Sequence, residues 1–338
     1  MSDATVRGRF VWHELLTTDT KSAATFFSKV IGWKAQPWGE DASYTLFLSG
    51  DRQMAGLMTL PEDARNMGAP PNWLTYVGTP NVDETARQAT SLGAIVLKAP
   101  EDIPTIGRFA VIQDPQGAVF AAFTPNRTPA AEGDLTVGDF SWHELAATDA
   151  KAALTFYQQL FGWEETSATD MGPDLGTYYM FGRSKSGPTL GGAFNKPAQM
   201  PGPPSWLPYV KVADAKKTAD VVKKLRGKIV NGPTEVPGGD WIAQGLDLQG
   251  GMFAVHSLKP PASKVPSTAT PKDVVVKKAA PKKAAPKKQA AVKKLVKKLV
   301  KKKGTFKKAA GKAKAKLARK TGAGKRGKTP TGKRAKRR

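Results

Sequence analysis

The sequence predicts an α+β body made of two tandem copies of one unit, each unit holding two βαβββ modules, followed by a disordered basic tail. Three observations predict this. A long stretch of the chain returns once at a fixed offset. Within each copy, one helical pattern follows a strand-like run and precedes several short ones. The charge is split sharply near residue 259. The whole chain of 338 residues holds 53 Lys+Arg against 28 Asp+Glu, a formal net charge of +25. From Lys259 onward there are 31 basic residues and one acid, Asp273, a balance of +30, which leaves −5 for residues 1–258. An asymmetry of this size marks an appended segment for a polyanion.

The elements of each unit can be justified in order. Phe10–Leu16 is apolar and aromatic and reads as a strand. Asp19 suits a helix N-cap. Ala23, Phe27, Val30 and Ile31 then fall on one helical face, and Ala153, Tyr157, Leu160 and Phe161 repeat it. Tyr44–Leu48 and Met54–Leu60 read as strands, as do Tyr178–Phe181 and Leu190–Phe194. Behind Trp73 the order recurs, with strand Leu74–Thr79, helix Asp83–Leu92, and strands Ala94–Lys98, Phe109–Gln113 and Ala118–Phe123. The repeat itself runs from Phe10-Val-Trp-His-Glu-Leu-Leu-Thr-Thr-Asp19 to Phe140-Ser-Trp-His-Glu-Leu-Ala-Ala-Thr-Asp149. Its period exceeds the roughly 50 residues of solenoid repeats, so a whole domain is duplicated. The predicted domains are 1–126 and 139–258, joined by a linker at 127–138 and followed by the tail, 259–338.

Composition excludes several kinds of chemistry. With no cysteine, disulfides, zinc-thiolate sites and thiol nucleophiles are ruled out. Three histidines, His13, His143 and His256, cannot build a histidine-rich metal centre. Met1–Glu14 shows no apolar run behind a basic start, so a cytoplasmic protein is expected. Gly322–Thr329 fits the P-loop pattern formally, but its flanks are basic and glycine-rich rather than a strand and a helix.

The strand ending in Asp, the helix with Phe26-Phe27 or Phe156-Tyr157, the following Gly32-Trp33 or Gly162-Trp163, and the late turns at Asp114-Pro-Gln-Gly117 and Asp247-Leu-Gln-Gly250 occur twice in register. Together they resemble the vicinal-oxygen-chelate superfamily of glyoxalase, bleomycin-resistance and dioxygenase proteins. The resemblance covers residues 9–258 and implies that paired modules curl a sheet into a half-open barrel. It also implies a divalent metal held by a His or Gln seven residues before the Asp and by a Glu four residues after the turn's Gly. Those counts fall on Trp12 and Ala121, and in the second copy on Trp142 and Ala254. None of these ligates a metal, so no cofactor is expected, and a divalent ion only if the enzyme alternative holds.

His13 and His143 lie one residue from the metal position. Alternation points them to the opposite face of the strand, unless a one-residue bulge reverses it. They are expected to be structural or surface residues, with a shifted metal site as the alternative. Glu14 and Glu144 share the face of Trp12 and Trp142. These four are the candidate ligand-pocket residues, and Glu14 and Glu144 the candidate catalytic ones. A carboxylate inside a barrel must be paired or hydrogen-bonded. It can serve as a base with a raised pKa, or sit in a polar network or a salt bridge to Arg9 or Arg108. Trp33, Trp38, Trp73, Trp163, Trp206 and Trp241 are expected mostly as core anchors. His256 is expected to be a lone strand residue.

The tail is dominated by Lys, Ala, Pro and Gly, too apolar-poor to fold alone. It resembles the tails of linker histones and bacterial histone-like proteins, which bind nucleic acid by backbone neutralisation. The candidate nucleic-acid-binding residues are Lys282, Lys283, Lys287, Lys288, Lys293, Lys294, Lys297, Lys298, Lys336, Arg337 and Arg338. Val292–Val300 places its apolar residues on one helical face, which makes an anionic membrane the second candidate partner. Three functional readings follow. The first is a barrel protein that binds a small molecule without the usual metal and is tethered to nucleic acid. The second is a lyase or dioxygenase-type enzyme. The third is a nucleoid-associated architectural protein, with oligomerisation open in each case.

Overall fold

The computed structural model describes residues 6–39, 41–127, 133–173 and 175–259. The tail beyond Lys259, with its candidate lysines and arginines, its amphipathic stretch and the P-loop-like segment, lies outside the described residues.

Four helices begin on an Asn or Asp whose side chain accepts a backbone N–H of the first turn, the arrangement expected at Asp19. The first module is β1 (Phe10–Thr17), α1 (Thr20–Val30), β2 (Lys34–Trp38), β3 (Asp41–Ser49) and β4 (Arg52–Thr59). A one-turn helix α2 (Glu62–Asn66) leads to the second, made of β5 (Asn72–Gly78), α3 (Val82–Ser91), β6 (Ile95–Ile103), β7 (Gly107–Gln113) and β8 (Val119–Pro125). The second unit repeats the plan with β9 (Phe140–Ala147), α4 (Ala150–Phe161), β10 (Glu164–Asp170), β11 (Thr177–Gly182) and β12 (Thr189–Asn195). It closes with β13 (Ser205–Lys211), α5 (Ala215–Lys224), β14 (Lys228–Glu235), β15 (Trp241–Leu246) and β16 (Met252–Ser257).

Each unit forms one eight-stranded sheet, ordered β2-β3-β4-β1-β5-β8-β7-β6 and β10-β11-β12-β9-β13-β16-β15-β14. The paired βαβββ modules read from the sequence are therefore present twice. The first strand of each module runs parallel to the last, β1 beside β4 and β5 beside β8. The modules join where β1 and β5 run antiparallel.

The core lies between the two units, and the modules pair crosswise. Phe26 and Phe27 of the first module pack edge-on against Phe253 of the fourth, both at 5.6 Å. Phe120 of the second meets Tyr157 and Phe161 of the third at 5.4 and 5.7 Å. Trp33 donates its indole N–H to the carbonyl of Gly138, and Trp163 donates to that of Gly8, so each unit anchors the start of the other. Trp33, Trp73, Trp163 and Trp206 are the expected core anchors. Trp38 is exposed instead, and Trp241 is partly exposed beneath the Lys216 ammonium, 3.4 Å from its ring centroid. Trp38 stands on the edge strand β2, with one neighbouring strand to pack on, whereas Trp241 on β15 is flanked by β14 and β16.

His13 and His143 meet at the centre of this core. Their Nε2 atoms are 2.8 Å apart, and each ring is stacked on a phenylalanine of the other unit, Phe140 and Phe10 respectively. A bulge does occur in β1 and in β9, but it falls at Val11 and Ser141, ahead of the tryptophans, so alternation from Trp12 onward is regular. His143 Nδ1 faces the Leu190 carbonyl at 3.2 Å and must donate to it. The neutral ring then accepts at Nε2, and His13 supplies the single proton shared by the pair. Burial holds both imidazoles well below their usual range, with mutual repulsion adding to the effect at His13. His256 is not a lone strand residue. It lies 3.0 Å from Ser141 Oγ and 3.1 Å from Asp240 Oδ2.

An imidazole that titrates near 6.5 when unfolded and lower when folded stabilises the fold above 6.5, and that stability is lost as pH falls toward the folded value. The loss is about 1.4 kcal/mol per pH unit per histidine. Buried carboxyls with raised pKa act in the opposite direction, so the comparison must be with a variant. Urea unfolding between pH 7.5 and 5 should show the wild type losing more stability than His143→Gln. Equal losses would mean that the pair is not held neutral.

Candidate functional site

The concave faces of the two sheets turn away from the shared core. Register fixes what they carry. In the first unit, a row of facing residues runs Trp12, Tyr76, Ala121, Val111 and Lys98 across β1, β5, β8, β7 and β6. In the second it runs Trp142, Tyr209, Ala254, Gln244 and Asn231. Glu14 and Glu144 lie two residues along the first strand, opposite Gly56 on β4 and Gly192 on β12.

Each carboxylate is the hub of a polar chain. Tyr76 donates to Glu14 Oε2 at 3.0 Å, Tyr44 hydrogen-bonds the same carboxylate, and the Trp12 indole donates to the Tyr44 hydroxyl at 3.1 Å. In the second unit Tyr178 donates to Glu144 Oε2 at 3.2 Å, Tyr209 to Oε1 at 2.9 Å and Gln244 to Oε1 at 3.0 Å. Trp142 donates to the Tyr178 hydroxyl at 2.8 Å. Four of the six tyrosines in the chain sit in these two networks. The polar-network alternative therefore describes Glu14. Arg108 binds Asp83 and Asp102 instead.

Burial pushes both carboxyls up from the usual range, and the tyrosine hydrogen bonds pull part of that shift back. The tyrosine hydroxyls are pushed up in turn by burial and by the neighbouring carboxylate, so they stay protonated and act as donors.

The glycines make the room. A Cβ on Gly56 would lie 2.0 Å from the Tyr44 hydroxyl oxygen, and one on Gly192 would lie 2.0 Å from Cε1 of Tyr178. Any other residue would drive the ring off the carboxylate. Internal symmetry relates Trp12 to Leu74 and Ala121 to Gly56, because Asp19 and Asn81 cap equivalent helices and Glu14 and Tyr76 face equivalent closing strands. The four places of the implied metal site are thus Trp12, Gly56, Leu74 and Ala121. Their counterparts in the second unit are Trp142, Gly192, Leu207 and Ala254. None has a side chain that ligates a metal, and among the described residues no cluster of three His, Asp or Glu offers another cage. This donor set does not fit a divalent ion.

Of the sequence-predicted residues, Trp12, Trp142, Glu14 and Glu144 are brought together as two equivalent pairs. Tyr44, Tyr76, Tyr178, Tyr209, Gln244, Gly56 and Gly192 were missed. One signal pointed to Tyr76 and Tyr209, which stand in the matched segments Trp73–Val77 and Trp206–Val210. The others carried none.

A family model described as a glyoxalase-like domain matches residues 12–123, and one described as the glyoxalase/bleomycin resistance protein/dioxygenase superfamily matches residues 140–251. A putative glyoxylase, CFP32 of Mycobacterium bovis, is 30% identical over 255 residues, covering 74% of this chain and 94% of the relative. The chain belongs to the glyoxalase/bleomycin resistance protein/dioxygenase superfamily. The anthracycline biosynthesis protein DnrV of Streptomyces peucetius is 27% identical over 269 residues, covering 75% of this chain and 94% of its own length. Among solved structures, the Mn(II)-bound glyoxalase of Novosphingobium aromaticivorans aligns with a TM-score of 0.52 at 17% identity, over 75% of this chain and 82% of that one. The 2,3-dioxygenase LapB of Pseudomonas sp. KL28 aligns at 0.53 and 9% identity, over 75% and 94%. These likenesses show the superfamily fold. No described helix is long and apolar enough to cross a membrane.

Two substitutions probe the networks. Tyr209→Phe removes a donor from Glu144, so its carboxyl pKa, followed by carbon-13 NMR, should rise further, and a fall would contradict the assignment. Gly192→Ala should cost about 1–3 kcal/mol of stability through the displaced Tyr178 ring. A neutral outcome in urea unfolding would show that the ring is not held there.

Proposed function

We propose that the body binds a small, flat, largely apolar molecule in a barrel without a divalent metal, and that the basic tail tethers the protein to nucleic acid. One observation carries the first part. All eight places of the implied metal cage hold Trp, Gly, Leu or Ala, and a carboxylate with two tyrosine donors stands on the same face. Half-buried Trp12, Phe109, Val111 and Phe123 around Glu14 supply an apolar wall with a few polar groups on its floor, the usual make-up of a small-molecule site. The tail's charge supports the second part. Each phosphate neutralised would contribute about −0.9 to the slope of log K against log salt.

A specific observation supports a second reading as a metal-free enzyme. Glu14 and Glu144 are carboxyls with raised pKa, poised as general bases beside neutral tyrosine donors. On that reading Glu14→Gln or Glu144→Gln abolishes turnover while leaving binding in place.

The test is a thermal-shift screen of flat aromatic compounds in excess EDTA. Stabilisation should persist in the chelator and be lost in Trp12→Ala. Stabilisation that needs added metal contradicts the proposal. For the tail, full-length protein should retard duplex DNA with a steep salt dependence, and residues 1–258 should not. Equal retardation by both would assign binding to the body.

A further inference from the structure

The two barrels share a floor but differ in one wall. In the second unit Gln244 on β15 reaches the carboxylate. Its amide nitrogen donates to Glu144 Oε1 at 3.0 Å and also contacts the Tyr209 hydroxyl. Its carbonyl is held from behind by the Asn231 side-chain amide at 3.1 Å. Gln244 is 8% exposed. Glu144 thus receives hydrogens from Tyr178, Tyr209 and Gln244, all supplied by the chain.

Register places Val111 and Lys98 at the same two points of the first unit. Val111 has nothing to donate. Lys98 is exposed, pairs with Glu101 at 2.9 Å and lies 5.4 Å from the Phe109 ring centroid. Among the described residues, the hydrogens that Glu14 receives come from Tyr76 and Tyr44. The side chains on this face, Trp12, Phe109, Val111 and Phe123, are half-buried and apolar. A carboxylate has lone pairs for more than two donors, so Glu14 can take one hydrogen more, and the other unit shows which group supplies it.

We infer that the second barrel is filled by its own Gln244 carboxamide and that the first is the ligand-binding barrel, taking a flat aromatic molecule whose N–H or O–H group donates to Glu14. This rests on the reading that the barrels bind small molecules. It adds which barrel does so and what the ligand must carry. Gln244 acts as a tethered copy of the ligand's polar end. The ring of the ligand lies against Trp12, Phe109 and Phe123, and its donor takes the point that Val111 leaves open.

The probe is benzamide, which puts the carboxamide of Gln244 on an aromatic ring. Full-length protein is titrated by calorimetry in EDTA, with the Trp12 and Trp142 indole signals followed by proton–nitrogen NMR. One equivalent should bind per chain, shifting the Trp12 signal and leaving that of Trp142 in place. Val111→Gln should weaken binding about tenfold or more by closing the gap from within, while Val111→Ile, which keeps the wall apolar, should still bind. Gln244→Val should open the second barrel and raise the stoichiometry to two. Movement of Trp142 in the wild type, equal binding by Val111→Gln, or no binding of benzamide overturns the inference. If benzamide fails while the wider aromatic panel still stabilises the protein, this inference falls and the proposed function stands.

Discussion

A carboxylate removed from water must be given hydrogens, and much of each barrel is arranged around that demand. Isolated, an ionised Glu14 or Glu144 would be costly enough to neutralise or to break the fold. Two tyrosines meet the demand in each unit. One stands on the neighbouring strand of the second module, Tyr76 or Tyr209, and the other arrives from the hairpin of the first module, Tyr44 or Tyr178. The second of these can reach only because the strand between it and the carboxylate carries a glycine. The tryptophan then fixes that tyrosine's hydroxyl from the open side. Glu, Tyr, Gly and Trp form one unit of design, and changing any member leaves another unsatisfied.

The same strand that presents Glu14 inward presents His13 outward, and this alternation divides the molecule into two chemistries. The inner faces are polar at the floor. The outer faces, with their helices, form a crossed core in which the first module packs on the fourth and the second on the third. Because the core belongs to both units, neither sheet has a complete hydrophobic layer without the other. The histidine pair sits at the meeting point of this core, with one shared hydrogen bond and a phenylalanine face over each ring.

Much of this plan was legible in the sequence. The duplication fixed two units, the helical spacing fixed the helices, and the Trp-His-Glu repeat marked β1 and β9 as the strands that matter. Alternation alone placed Trp12 with Glu14 and turned His13 away. Residues from separate strands were not legible as neighbours, because the strand order is not the sequence order. β4 lies beside β1 and β8 beside β5, so Gly56 and Ala121 become neighbours of the site through crossovers that no local pattern announces. The contact between His13 and His143 depends on the packing of whole units, and the exposure of Trp38 on the place of β2 at a sheet edge. His256 looked solitary because its partners, Ser141 and Asp240, come from a different strand and a loop.

The proposed function turns on two buried carboxylates held by hydrogen bonds beside positions whose side chains offer no metal ligand. The most direct test adds Mn(II), the ion held by the glyoxalase of the same fold, to full-length protein while the Glu14 and Glu144 carboxyl carbons are followed by NMR. The account predicts no saturable broadening of either signal at stoichiometric manganese, with both carboxyls still titrating above the usual carboxylate range. Tight, stoichiometric broadening of either signal would place an ion in the barrel and contradict it.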